Sequence, residues 1–387
     1  MQYQESEPAR VDVLFVAANS RSLIHNRGDL IISMKEKGIN VAALVPRYDY
    51  MEEVRELGIP IFLYDLDRHS LNPLVFFQQL FGLLKAVREV SPGSVFCYAV
   101  KPIIFGAVAA KAAGVNKVFC LVTGLGYAFA ADKLKARMIK RFSIFCYGLS
   151  SLLSDVFFFQ NSDDLSELRH GLIFSLSDRL GFDKKVVNGS GVNLSEYPFS
   201  AISFEPFIFL CMARMVKEKG VYEFVEAARL LKPRYPNIHF ILVGAHDINL
   251  TSSVGLYEVE AWKKSDFVDI KEPLSDVVPL LMSSTVFVLP SYREGTSRAI
   301  LEAMSCGRPV ITSDVPGCRG PVVHGLNGLL VEPRDSKALA SAMENMITKP
   351  HLLSAMGMNS RKRVEELYDV KKVNQEMLSS ICQHLEI

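Results

Sequence analysis

Two doubly wound α/β domains, each built on a parallel sheet, are the fold class this sequence predicts. Three observations predict it. Short apolar runs alternate with amphipathic stretches of helical length from Val11 onward, the pattern of βαβ units. The alternation lapses over Tyr197–Pro206 and starts again near Phe207. With 387 residues, 49% of them hydrophobic, the chain fills more than one core, because single cores stop growing at about 250–300 residues.

In chain order, the first series places strands at Val11–Val16, Val41–Val45, Pro60–Tyr64, Ser94–Tyr98, Lys117–Leu121, Val156–Gln160 and Lys185–Asn188, with helices between most of them. The second places strands at Phe207–Met212, His239–Val243, Phe267–Ile270, Thr285–Leu289, Pro309–Thr312 and Gly328–Val331. Its helices fall near 220–232, 275–283, 297–305, 335–347 and 351–367. The segment Tyr197–Pro206 carries two prolines and little periodicity, so it reads as the linker. The domains are then 1–200 and 201–387, with the C-terminal helix a candidate to pack back on the first. Two such sheets facing one another place a cleft between their carboxyl edges.

Composition narrows the function classes. Lys plus Arg number 43 against 42 Asp plus Glu, so no global excess of charge points to nucleic acid. Seven scattered cysteines, never spaced Cys-x-x-Cys, support neither a zinc site nor a disulfide framework and fit a reducing cytosol. The start Met-Gln-Tyr-Gln-Glu-Ser-Glu-Pro lacks the basic and apolar regions of a signal peptide. The longest apolar candidate, Phe142–Ser154, has 13 residues against the ~20 a membrane span needs, and reads as a buried or interfacial helix. Ala17-Ala18-Asn19-Ser20-Arg21 after the first strand lacks Gly-x-Gly-x-x-Gly, and no Walker A motif occurs; nicotinamide, flavin and P-loop chemistry are disfavoured.

The chemistry gathers in the second half. Thr285–Leu289 reads as a buried strand, Pro290–Gly295 as the loop leaving its carboxyl end, and Thr296 or Ser297 as the cap of a helix to about Cys306. Ligands of open α/β sheets bind at that edge, and N–H groups at a helix start face a phosphate. Glu294 lies before the helix and Glu302 within it. Two helical turns span roughly 11 Å, so the two carboxylates would hold opposite ends of a nucleotide sugar, one the ribose and the other the hexose. A solvated helix face is the competing reading of the bare spacing. After the domain's first strand, Arg214 and Lys219 flank a strand-to-helix loop. Two fixed cations there hold a diphosphate leaving group without a divalent metal.

The segments Arg214…Lys219-Gly220, Val286–Gly295, Leu301–Val310 and Gly325–Val331 resemble retaining glycosyltransferases of family 4 in identity, order and spacing. The resemblance runs from about Val11 to the last helices and is strongest over 207–347. It implies the GT-B fold, two Rossmann-like domains facing a central cleft, with the donor nucleotide on the C-terminal domain. It further implies that Arg214 and Lys219 bind the donor diphosphate, Glu294 the donor sugar and Glu302 the ribose, with Ser297, Arg298 and the backbone at Gly295 near the phosphates or sugar.

In the first half, Phe119–Phe129, His25-Asn26-Arg27-Gly28, Lys101-Pro102, Phe159-Gln160-Asn161 and Val187–Val192 resemble a bacterial subgroup. Its members extend glycans on undecaprenyl diphosphate, often with N-acetylhexosamines such as N-acetylgalactosamine. Many family members carry a donor-contacting histidine after the strand that ends here near Leu121; this chain reads Thr123-Gly124 instead. His25, expected on a cleft-facing loop, together with Arg27, Lys101 and Thr123, are the acceptor-side candidates, against structural roles for each. Gly191 is a donor-side candidate, where glycine lets backbone approach the sugar or diphosphate. Asp65-Leu66-Asp67 imitates a metal-binding Asp-x-Asp but reads as a loop after a strand.

From Lys133 to Leu149, Lys133, Arg137, Lys140 and Arg141 share one helical face, while Leu134, Met138, Phe142, Phe145 and Leu149 line another. Such a helix suits an anionic membrane surface, or else packs its apolar stripe into the domain. The expectation is a metal-independent, cofactor-free retaining transferase, peripheral on the cytoplasmic face of the inner membrane. It would move a hexose or N-acetylhexosamine, carried on UDP, to a lipid-linked saccharide in surface glycan assembly. The competitors are a UDP-N-acetylhexosamine 2-epimerase-like enzyme and a catalytically silent nucleotide-sugar-binding protein.

Overall fold

The computed structural model describes residues 10–67, 72–129, 134–246 and 252–386; Met1–Pro8 and Lys133 lie outside them. The chain parts into two units, the first running through Ser190 and resuming at Val373, the second spanning Gly191–Lys372. The linker reading placed one boundary at 200/201. The difference has a physical cause: Tyr197 and Ile202 pack against the second unit's core, and the Ser200 carbonyl accepts from the buried Arg308 guanidinium.

The first unit contains Val13–Val16 (β1), Ser20–Glu36 (α1), Val41–Pro46 (β2), Ile61–Tyr64 (β3), Pro73–Val90 (α2), Ser94–Tyr98 (β4), Val100–Ala112 (α3), Lys117–Val122 (β5), Leu134–Leu153 (α4), Val156–Phe159 (β6), Ser162–Arg169 (α5), Leu172–Arg179 (α6) and Asp183–Val186 (β7). The strands form a seven-stranded parallel sheet in the order β3-β2-β1-β4-β5-β6-β7. Alternate side chains feed two layers. Leu14, Val16, Val95, Cys97, Phe157 and Phe159 bury on one face with α3 residues such as Ile103 and Phe105. Val13, Phe15, Phe96, Tyr98, Val156 and Phe158 bury on the other with Leu23, Leu30 and Met34 of α1. Asparagines set the helix starts: Asn19, Asn72 and Asn161 accept from the N–H groups of Ser22, Leu74 and Asp164 at 2.7, 3.0 and 2.7 Å.

The second unit contains Ile208–Met212 (β8), Val221–Leu231 (α7), His239–Val243 (β9), Leu256–Lys263 (α8), Asp269–Lys271 (β10), Val278–Ser283 (α9), Val286–Leu289 (β11), Arg298–Ser305 (α10), Val310–Ser313 (β12), Gly328–Val331 (β13), Ser336–Thr348 (α11) and Leu353–Leu367 (α12). Its six-stranded parallel sheet runs β10-β9-β8-β11-β12-β13. The last helix, Val370–Leu385 (α13), buries Val373, Met377, Leu378 and Ile381 in the first unit, in the layer that holds α1.

Every strand expected from the sequence is present. Two edge strands are displaced. β7 is Asp183-Lys184-Lys185-Val186 rather than Lys185–Asn188, and β10 is Asp269–Lys271 rather than Phe267–Ile270. An edge strand needs no two-sided apolar run and carries charge readily. Lys184, for example, meets Asp178 at 3.1 Å. α8 was not foreseen, because only Val259 of its residues is buried and no stripe forms. Phe142–Ser154 falls mostly within α4. Among the described residues no helix is long and apolar enough to cross a membrane.

Candidate active site

In both sheets the strand order reverses once, between β1 and β4 and between β8 and β11. Loops leaving the carboxyl ends of such a pair diverge and open a crevice, the usual ligand position in open α/β sheets. The loops after β8 and β11 are the ones that carry Arg214 with Lys219 and Glu294.

These two loops are fastened to each other. A 3-10 turn, Lys217–Lys219, ends at Gly220, whose φ of 71° also starts α7. A Cβ at Gly220 would overlap the carbonyl of Pro290, the first residue after β11, so glycine is what lets the loops touch. The Tyr292 N–H donates to the Glu218 carbonyl at 2.9 Å, and the Tyr292 hydroxyl donates to Glu223 at 2.7 Å. At the centre Lys219 Nζ donates to Glu294 Oε1 in a partly buried ion pair.

On its other side the Glu294 loop rests on the turn after β12. The N–H groups of Glu294 and Ser297 donate to the carbonyls of Pro316 and Gly317 at 3.0 and 3.2 Å. Gly317, at φ 76°, lies so close that a Cβ would overlap the Glu294 and Gly295 carbonyls. Gly295 is buried in this sandwich.

Glu302 occupies the second turn of α10. It accepts from Arg298 Nε at 2.8 Å and from the Tyr197 hydroxyl. Burial raises its carboxyl above the usual range, and Arg298 and Tyr197 only partly offset this. On Arg298 burial opposes the charge but Glu302 outweighs it, so the carboxyl is the member of the pair that titrates. The two glutamates thus have separate cationic partners. Ser297 stands in the N-cap position of α10 without a side-chain cap hydrogen bond, contrary to the capping role expected of its hydroxyl. Arg214 is exposed at the start of its loop, and among the described residues its side chain carries no hydrogen bond or ion pair.

Gly191 does have a left-handed backbone, φ 70°, but the close approach the structure records is to Val370, where a Cβ would overlap backbone. Its neighbour Val192 exchanges backbone hydrogen bonds there, donating to Tyr368 O at 2.9 Å and accepting from Val370 N–H at 3.1 Å.

In the first unit, His25 is exposed within α1 and not on a loop, because Asn19 starts the helix earlier than the loop reading allowed. Arg27, two residues on and so on the opposite side of the helix, is 1% exposed. It donates to Ser190 Oγ, which also accepts from Gln160 Nε2 at 2.9 Å, so its guanidinium serves as an interior tie. Lys101, in the first turn of α3, donates to the Asp67 carbonyl; burial lowers its pKa, and Asp67 opposes the shift. Thr123 is partly buried just beyond β5. Asp65 and Asp67 lie in the loop after β3, bordering a pocket of about 550 Å³ with Arg47 and Gln79, and Asp65 meets Arg47 at 3.5 Å. Among the described residues no three His, Cys, Asp or Glu side chains cluster as metal ligands would. Sequence reading missed Tyr197, the Tyr292–Glu223 tie and Gly317. The signal for the last was the Pro316-Gly317 dipeptide beyond a strand.

Comparison with known proteins agrees with this architecture. The sequence model of the family "Glycosyl transferases group 1" matches residues 197–363, and that of "Glycosyl transferase 4-like" matches 12–159. The chain is 29% identical over 380 residues, 94% of its length and 96% of the relative's, to N,N'-diacetylbacillosaminyl-diphospho-undecaprenol α-1,3-N-acetylgalactosaminyltransferase of Campylobacter jejuni. It is 24% identical over 367 residues, 89% and 86% of the two lengths, to UDP-Gal:α-D-GlcNAc-diphosphoundecaprenol α-1,3-galactosyltransferase of Escherichia coli. Among solved structures, the sucrose-phosphate synthase of Thermosynechococcus elongatus superposes with a TM-score of 0.78 at 16% identity, covering 97% of this chain and 100% of that one. Anabaena HepE in complex with UDP does so at 0.74 and 17%, covering 96% and 100%. The fold is therefore that of the GT-B glycosyltransferases. The chain carries a glycosyl transferase 4-like domain followed by a glycosyl transferases group 1 domain.

Proposed function

We propose that the protein is a retaining glycosyltransferase that moves an N-acetylhexosamine or hexose from its UDP conjugate to a hydroxyl of an undecaprenyl-diphosphate-linked saccharide, at the cytoplasmic face of the inner membrane and without a divalent metal. The observation that carries the reading is the Lys219–Glu294 pair at the β8/β11 crevice, with Arg214 on the same loop. Two relatives that match most of the chain's length have undecaprenyl-diphosphate saccharides in their names, one with UDP-Gal as donor. N-acetylgalactosamine is the first donor sugar to try.

In this reading Lys219 and Arg214 take up the charge that develops on the diphosphate, Glu294 accepts from a donor-sugar hydroxyl, and Glu302, oriented by Arg298 and Tyr197, accepts from the ribose. The bond from the anomeric carbon to the diphosphate oxygen breaks as the acceptor oxygen bonds to that carbon on the same face. The acceptor proton passes to the departing phosphate oxygen. The test offers a panel of UDP-sugars with short-chain prenyl-diphosphate saccharides, with and without chelator, reads the added sugar by mass and reads the anomeric configuration by proton NMR coupling. One added sugar, α-linked and insensitive to chelator, is expected. Interconversion of the nucleotide sugar with no acceptor present, or turnover abolished by chelator, overturns the proposal.

A further inference from the structure

α2 and α4 leave unusually large side chains in water. Phe77 and Phe81 on α2 are 55% and 65% exposed, and Met138 and Phe142 on α4 are 66% and 56% exposed, with Phe145 also exposed beside them. The two sets form one surface. Phe76 packs edge-on against Phe77 at 5.9 Å and against Phe142 at 6.5 Å between ring centroids, so the two helices meet through an aromatic bridge. At about 100° per residue, Leu134, Met138, Phe142, Phe145 and Leu149 fall within roughly 80° of the α4 circumference, while Leu74, Phe77 and Phe81 fall within roughly 60° on α2.

Charge distinguishes what covers this face. α4 contains Lys135, Arg137, Lys140 and Arg141 and no acidic residue. Lys140 is spent on Glu167 of α5 at 2.6 Å, which corrects its expected place among the outward cations. Arg137 and Arg141, one turn apart at the margin of the stripe, are exposed and without an ion pair among the described residues. The stripe on α2 ends at Lys85, which meets Glu89 only at 3.9 Å. Aromatic side chains rimmed by arginines fit an apolar layer under an anionic surface.

We infer that the combined face of α2 and α4 is the seat of the protein on an anionic lipid bilayer, with Phe77, Phe81, Met138, Phe142 and Phe145 entering the acyl boundary and Arg137 and Arg141 meeting lipid phosphates. The inference rests on the reading of a lipid-linked acceptor and extends it: both helices start at the carboxyl edge of the sheet, so the bilayer lies beside the edge where parallel sheets bind ligands.

The experiment sediments the full chain with vesicles of phosphatidylcholine alone or mixed with phosphatidylglycerol, and compares Phe81→Ser/Phe142→Ser and Arg137→Glu/Arg141→Glu. The expected result is partitioning at least about tenfold stronger onto the anionic vesicles, lowered about tenfold or more by either variant. Transfer to a short-chain, water-soluble acceptor stays unchanged in both, and because Phe142→Ser also removes the Phe76 contact, it is Arg137→Glu/Arg141→Glu, at two exposed positions, whose thermal melt stays unchanged. Absence of wild-type binding to anionic vesicles, unchanged binding by both variants, or a dimer in size exclusion that Phe81→Ser/Phe142→Ser dissociates would overturn the inference. Loss of transfer to the soluble acceptor in the wild type would instead count against the proposed reaction alone, because vesicle binding needs no turnover.

Discussion

The hydroxyl of Tyr292 donates to Oε1 of Glu223 across 2.7 Å, which ties the loop bearing Glu294 to the first turn of α7. Burial, and next the bond to Glu223, raise the Tyr292 phenol, so it remains a donor throughout the physiological range. The second oxygen of Glu223 is buried without a hydrogen-bond partner among the described residues. Tyr292→Phe therefore strands a buried carboxylate and is expected to cost about 1–3 kcal/mol of stability. Denaturant melts check this, and Tyr292→Phe/Glu223→Gln should recover part of the loss, since the uncompensated charge is gone.

Lys219→Ala and Glu294→Gln are each expected to lower transfer at least about tenfold, on the order of 1.4 kcal/mol or more in transition-state stabilisation. Because the two side chains touch, the double variant should lose less than the product of the single losses. Initial rates at saturating donor, with thermal melts to show that the fold persists, supply the cycle. Wild-type turnover in either single variant would sink the site assignment.

Glu302 gives a pH dependence with a definite sign. As a carboxylate it accepts hydroxyl hydrogen bonds; protonated, it loses part of that capacity. Its folded pKa is raised, chiefly by burial, so nucleotide affinity should be full at pH well above the folded value and decline as pH falls through it, at a pH above the ordinary glutamate range near ~4.3. The same shift makes the folded state bind its proton more tightly than the unfolded chain does. That contribution to stability is lost as pH rises through the folded value. UDP titrations across pH with wild type and Glu302→Gln check it: the variant should bind more weakly and lack this inflection.

Gly317→Ala combines strain with collision. Its φ of 76° disfavours a side chain, and the new Cβ would overlap the Glu294 and Gly295 carbonyls, so a stability loss of at least about 1–3 kcal/mol is expected, together with weaker UDP binding. Gly325→Ala is the control. It has a similar φ of 79° but open space around the site of the added methyl, so it should show strain without a change in nucleotide affinity.

Much of the sheet architecture was legible in the sequence because central parallel strands are buried on both faces and spell continuous apolar runs. Val13–Val16 and Val286–Leu289 are buried at every position. Strands at the sheet margins were displaced because no such pressure acts on Asp183–Val186. In the site, the loop residues Lys219 and Glu294 were readable from their places after two strands, whereas their partnership was not. It depends on which strands neighbour one another, and β8 and β11 are far apart in sequence. Arg27 shows the opposite error. Nothing local signals that an arginine midway along a helix will turn inward to Ser190, 163 residues away.

The return of α13 has a consequence for the order in which the molecule is made. Val373, Met377, Leu378 and Ile381 complete a layer begun by Val13 and Phe15, so the earlier-synthesised unit stays unfinished until α13 has left the ribosome. Gly191–Lys372, by contrast, is contiguous and reaches its own full complement of contacts first. A stop codon after Lys372 would then yield a chain whose second unit folds while the first exposes an uncovered apolar wall beside α1, a natural target for chaperones and proteases.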